Sequence, residues 1–462
     1  MRKRIAIGIA VSLLASCASI QPEAPEIDVK ESLVIPQQPV SVVKVPVKID
    51  LSPYFAETNK SVPKEFRGNE SQCAGVSYKY YFKRKPIEFK GTGSFLEYSV
   101  DGSYWMKLKY CPECIDIFGS GASCISPVIK VSCGIDEPMR KLRVGFKSKI
   151  GVSESYRLTS STKLREVKAL SPCEVSFVNF NATNTLEKEV RNALKPYEKD
   201  IDKAIEEVDL KPDMELTWQA IEEPMDLEGY GYLFLNPKMV GMSNIQYVGD
   251  TAYLDAYLHA FPEVRSDTIG FKPTPLPNLS DIEIADGFDV KMDITAQYDS
   301  LSSILTRDIR GMETEVKGNK VIFEDVEVHG AAYQQLHIKV DFSGKKRGTI
   351  YLTGTPSFDA EKQHISFPDL EFHIKTKSAL LKSAKWLFDK KVTNMIREAA
   401  NLDLEEYLKT FKATIEESLN GEIDKEVWMN GTIDDIKIDY IYPREDALFM
   451  RVSSTGHLGI KM

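Results

Sequence analysis

The chain has 462 residues, a formal net charge of −9 and 42% hydrophobic residues. That length supports two or three domains with substantial cores. The acidic balance, without any lysine- or arginine-rich block, excludes nucleic acid as a partner and argues against electrostatic docking on anionic lipid.

The first residues read as an export signal. Arg2, Lys3 and Arg4 form a basic start, and Ile5 to Ser16 form an apolar stretch too short to span a bilayer. It ends Leu14-Ala15-Ser16-Cys17, which resembles the lipobox of bacterial lipoproteins. That resemblance implies a signal peptide over 1–16, cleavage before Cys17, acylation of its thiol and a membrane partner reached through the lipid. Ala18 rather than Asp follows, which in enteric lipoproteins goes with the outer membrane. The expected location is the cell envelope, lipid-anchored on the outer membrane and facing the periplasm. Residues 17–41, rich in Pro, Glu and Gln, read as a lipidated tether that spans roughly 27 Å as a flexible coil.

Val43, Val45, Val47, Ile49 and Leu51 alternate with polar residues, as in a strand with one buried face. Pro46 removes a ladder donor and places this strand at an edge. Ser52-Pro53 opens a short helix to about residue 60. Strand signals then dominate to about residue 180, with Asp101-Gly102 as a hairpin signal. A helix opens at Asn184, where Asn184 and Glu187 have capping-box spacing. Leu186, Val190, Leu194, Tyr197, Ile201, Ile205 and Val208 give it one apolar stripe, and Pro196 should kink it.

Cys73, Cys111, Cys114, Cys124, Cys133 and Cys173 all lie in this half. An even set in an exported chain predicts three disulfides, with 15 possible pairings. Cys111 and Cys114 also have redox C-x-x-C spacing, and four of the six could hold zinc. The loose spacing of the second pair and the lack of a βαβ pattern weigh against both. No metal or cofactor is expected.

Residues 266–283 contain Lys272-Pro273-Thr274-Pro275-Leu276-Pro277 and read as a linker. The same order of elements then restarts. Phe288, Val290, Met292 and Ile294 alternate with polar residues, and a short helix follows. Strands come at 321–328, 335–342, 348–354 and 365–376, then a long helix over about 380–399 and another from about 404. Two strands close the chain. This predicts a first domain over 42–265, with a cysteine-rich insertion, and a second over 284–462.

Val45-Pro46-Val47-Lys48-Ile49-Asp50-Leu51, Leu235-Asn236-Pro237-Lys238 and Ile350-Tyr351-Leu352-Thr353-Gly354-Thr355-Pro356 resemble, in order and spacing, a bacterial lipoprotein family catalogued as domain of unknown function 4403. That family resembles the tubular lipid-binding superfamily, which includes bactericidal/permeability-increasing protein. The resemblance implies an α+β fold of two tandem units, each a long twisted antiparallel sheet wrapped around long helices, and an apolar channel. The candidates to line it are Val290, Met292, Ile294, Leu336, Ile338, Val340, Ile350, Leu352, Leu387 and Phe388. An acyl chain of about 16 carbons buried there would gain on the order of 10 kcal/mol.

Catalytic signals are sparse. There is no G-x-S-x-G, H-E-x-x-H or Walker loop. Ser160 to Lys163 and Ser61 to Lys64 have S-x-x-K spacing at about the chance frequency. No histidine pair has helical metal spacing, and His337 and His373 fall on polar strand positions. The expectation is a non-enzymatic envelope lipoprotein that binds lipid or another hydrophobic molecule. The alternative is an envelope scaffold with filled cores.

Overall fold

The computed structural model describes Ala24 and residues 35–116, 122–175, 180–181, 183–227, 230–282, 285–316, 319–344, 347–373 and 401–462. The first half carries β1 (Ser41–Asp50), α1 (Ser52–Ser61), β2 (Glu65–Glu70), β3 (Gly75–Gly93), β4 (Phe95–Cys111), β5 (Cys114–Asp116), β6 (Ala122–Cys124), β7 (Ile129–Cys133), β8 (Arg140–Val152), β9 (Leu158–Ala169), α2 (Thr183–Leu194), α3 (Tyr197–Glu206), α4 (Lys211–Glu222), β10 (Gln246–Gly249) and β11 (Thr251–Ala260). The second half carries β12 (Phe288–Gln297), α5 (Tyr298–Ile309), β13 (Asn319–Gly330), β14 (Leu336–Gly344), β15 (Gly348–Gly354), β16 (Glu371–His373), α6 (Glu405–Ser418), β17 (Val427–Pro443) and β18 (Ala447–Lys461). Shorter strands lie between them.

The alternating run at residue 43 forms β1, which pairs along its whole length with β11. Its other edge meets the start of β12 at Val43↔Phe288 and the end of β18, in parallel, at Val47↔Ile460. Pro46 falls between these two partners. Lys44 N donates to Gly287 O and Asp50 N to Met462 O, so the donor that proline lacks has no acceptor to miss. Pro46 therefore sits in an interior strand, at a gap in its pairing.

Through β1, strands of both halves join one mixed sheet of 17 strands. Pairing runs from β9 through β8, β4, β3, β10, β11 and β1 to β18 and β17. A separate five-stranded sheet contains β13, β14, β15 and β16. This corrects the expected fold class. The protein is mostly β, and its sheet passes through both halves instead of closing around long helices in each. The described α-helices have only 10 to 14 residues. The stripe from 186 to 208 breaks at Lys195-Pro196 into α2 and α3. The long helix expected over 380–399 lies outside the described residues.

The helices also do a job that apolar periodicity does not reveal. Glu198 and Asp202 of α3 accept from the backbone N–H groups of Leu164 and Thr162 on β9, each at 2.8 Å. Ser302 and Thr306 of α5 accept from Val328 and Val326 on β13, at 2.8 and 2.9 Å. Glu416 and Asn420, at the end of α6, accept from Ile433 and Gly431 on β17, at 2.7 and 3.2 Å. Each helix pair is four residues apart and each strand pair two. Four helical residues rise about 6 Å and two strand residues about 6.7 Å, so the spacings match. The helices thereby satisfy strand donors that no neighbouring strand reaches. Glu187, expected to cap α2, accepts from Ala169 N of β9 in the same manner.

Two local expectations change. Asp101-Gly102 is not a hairpin; Gly102 lies mid-strand in β4, opposite Arg84. A side chain there would collide with the Phe82 ring, which explains the glycine without a turn. Ser52 is the first residue of α1 and not its cap; Leu51 holds the cap position, and Asp50 Oδ1 accepts from Ser52 N at 2.9 Å.

Candidate functional site

Phe288, Val290, Met292 and Ile294 share one face of β12 by strand alternation. Register places Met292 opposite Val452 and Ile294 opposite Met450 on β18. Val452 and Met450 in turn oppose Ile438 and Ile441 on β17. The result is an apolar field three strands wide. Leu408 of α6, with Leu404, Phe358 and Ile365, packs against it. Every residue of β12 from Phe288 to Ala296 nevertheless stays half-buried, although β18 pairs with its whole length and β1 meets Phe288 and Asp289 on the other side. Val290, opposite Ser454, is among them.

The other channel candidates belong to the five-stranded sheet. Ile338 opposes Leu352 and Val340 opposes Ile350. Leu336, Ile350 and Leu352 are buried, while Ile338 and Val340 are half-buried. Leu301, Leu305 and Ile309 of α5 pack on this face with Tyr298, Val326 and Val328. Burial pushes the Tyr298 phenol well above its ordinary pKa, and its hydroxyl donates to Arg444 O at 2.6 Å. Leu448 packs in both clusters and joins the two fields. The candidates thus fall into one partly covered field and one packed core. Leu387 and Phe388 lie outside the described residues. Sequence reading did not single out Ile436, Ile438, Leu448, Met450 and Val452, although their alternation in the closing strands carried the signal.

The reverse face of β12 is polar and carries Asp289, Lys291, Asp293 and Thr295. Arg451 of β18, 4% exposed, pairs with Asp293. Ser41 Oγ accepts from Lys291 N at 2.8 Å, and Gln38 donates to Lys291 O and Pro262 O. The segment leading into β1 is therefore fastened across β12. A cleft of about 270 Å³ opens at the start of β12, lined by residues that include Val42, Asp286, Phe288, Asp434 and His457 but none of the channel candidates.

The six cysteines form Cys73–Cys114, Cys111–Cys124 and Cys133–Cys173, with Cα separations of 5.7, 5.9 and 5.8 Å. The two cysteines of the C-x-x-C thus serve different bridges. Cys133–Cys173 is buried and joins β7 to the core under α2. By loop entropy its 40-residue span is worth about 4 kcal/mol. The cysteine-bearing strands β4 and β7 belong to the large sheet, and only the β5–β6 hairpin stands apart. Cys17 lies outside the described residues.

Ser160 and Lys163 lie three apart on β9, so their side chains leave opposite faces of the strand. His337 is buried, opposite His329, contrary to the expected surface position. Among the described residues, no three His, Cys, Asp or Glu converge as a metal centre requires. No helix among them is long and apolar enough to cross a membrane.

A family model described as Domain of unknown function (DUF4403) matches residues 39–462. The chain belongs to this family. No curated protein sequence matches it. Among solved structures, it is similar to a lipopolysaccharide binding protein at 12% identity and a TM-score of 0.22, over 91% of this chain and 98% of that one. It is also similar to P47 of Clostridium botulinum E1 at 11% identity and a TM-score of 0.21, over 91% and 98%. P47 of Clostridium botulinum A2 matches at 8% identity and a TM-score of 0.21, over 90% and 96%. At these TM-scores the DUF4403 chain's fold and site rest on its own geometry.

Proposed function

We propose that this DUF4403 protein is a lipid-anchored envelope protein that binds a lipid or another elongated hydrophobic molecule along the apolar field of β12, β17 and β18. The observation that carries this reading is the row Val290, Met292 and Ile294, half-buried at the centre of a wide sheet. Apolar side chains flanked by strands and left partly uncovered are the surface that an acyl chain would dehydrate. Each methylene buried there contributes about 0.8 kcal/mol. Three disulfides fit an oxidising compartment, and the Cys17 lipobox supplies the anchor.

The test is displacement of a fluorescent fatty acid from unlipidated protein carrying Cys17→Ser. Uptake should occur at micromolar concentration. Met292→Glu and Ile294→Glu should each weaken it about tenfold, because a carboxylate must be desolvated beside the chain. Leu352→Ala, in the packed core, should lower stability and leave affinity unchanged. No uptake by the unsubstituted field would sink the proposal and leave the filled-core scaffold that buried Leu336, Ile350 and Leu352 favour.

A further inference from the structure

Strand alternation gathers a basic surface on this acidic chain. Lys79 of β3 lies directly opposite Lys107 of β4, and Lys109 of β4 directly opposite Lys130 of β7. The four lysines leave the same outer face of the large sheet and are exposed. None of them forms an ion pair with a described carboxylate. A shallow groove of about 460 Å³ runs among them. The one carboxylate lining it, Glu70, is engaged by Tyr78 and by Gln72. At the border, Tyr81 stacks on Trp105 at 6.1 Å, and the Arg67 guanidinium lies 4.8 Å from the Tyr81 ring.

Like charges directly opposed across a strand pair are destabilising. Two such pairs side by side, without counter-charges, lower the stability of the free protein and favour a partner that brings negative charge. An exposed sheet face with a flanking Trp–Tyr pair suits a planar anionic surface, since indole and phenol rings sit at the headgroup level while amines meet phosphates. We infer that this face docks the protein on an anionic lipid surface through headgroup phosphates, independently of any acyl anchor and of the apolar field. Net charge conceals it, because β3 and β7 contribute one lysine each and β4 two, and only strand register gathers them. The inference runs against the expectation drawn from the overall acidity of the chain.

The experiment is co-sedimentation of the full chain, with Cys17→Ser to remove acylation, on phosphatidylcholine vesicles with and without phosphatidylglycerol. The increment due to phosphatidylglycerol is the readout. It should fall with added salt. It should drop about a thousandfold when Lys79, Lys107, Lys109 and Lys130 are all changed to Gln. The same change at Lys60, Lys362, Lys409 and Lys425 should leave most of it, which separates the patch from net charge. Relief of the opposed pairs should hold or raise the thermal midpoint of the patch variant, which excludes misfolding. No increment, an increment that survives the patch variant, or equal loss in both variants would overturn the inference. Binding to soluble dextran sulfate without uptake on vesicles would overturn it in favour of a polyanionic chain.

Discussion

Asp293 and Arg451 face each other across β12 and β18, joined by two hydrogen bonds of 2.5 and 2.8 Å. The same guanidinium donates to Pro36 O and Gln37 O and lies 5.0 Å from the Tyr440 ring. One buried cation therefore holds two strands and the segment through which the chain enters the sheet. Removing one partner of a buried pair leaves an uncompensated charge, at a cost of about 3–5 kcal/mol. Asp293→Asn should show that loss in urea unfolding. Arg451→Met should also free the entering segment, read as faster proteolysis at residues 36–38. Unchanged cleavage would show that Gln38 and Ser41 hold the segment alone.

The pins between helices and strands make a second expectation. Thr306→Val keeps the shape of the side chain but leaves Val326 N without its acceptor, and Ser302→Ala does the same to Val328 N. Each should cost about 1–3 kcal/mol. Ser303→Ala, whose hydroxyl meets only Asp299 O on its own helix, should stay within about 0.5 kcal/mol. On α3, burial works against ionisation of Asp202, but hydrogen bonds from Thr162 and Ser160 outweigh it and hold the carboxyl below its ordinary range. A depressed folded pKa stabilises the protein above the unfolded value of about 3.9. That part is lost as pH falls through the lower folded value. Asp202→Asn should flatten the acid limb of the stability curve.

Burial, with the positive potential of His373 and His329, lowers the pKa of His337 from its ordinary value of 6.5. The folded state prefers the neutral ring, so its contribution is complete above about pH 6.5 and is lost as pH falls through the lower folded value. The thermal midpoint should therefore drop between pH 7 and pH 5. His337→Gln should lessen the drop. Parallel pH profiles for the two proteins would assign the acid sensitivity to other groups.

Much of the local structure was legible. The runs at 43–50, 288–296 and 336–342 alternate apolar and polar residues with period two and form strands. Pro196 ends a helix because its ring cannot continue the ladder. An even set of six cysteines pointed to three bridges, but the partners of each were beyond reach. Gly102 misled because a turn and a close aromatic contact call for the same residue. His337 misled because its polar alternation position is covered by neighbouring histidines and their strands.

By itself the sequence determined where strands and short helices form, which faces are apolar, and that the cysteines are available for pairing. These depend on neighbours a few residues apart, where backbone sterics and period decide. The tertiary structure alone decided that strands 245 residues apart join one sheet through β1, that Asp293 meets Arg451, and that lysines from three strands gather on one face. Those outcomes depend on long-range register. A shift of one residue would turn every such side chain to the opposite face, and no local pattern carries that choice.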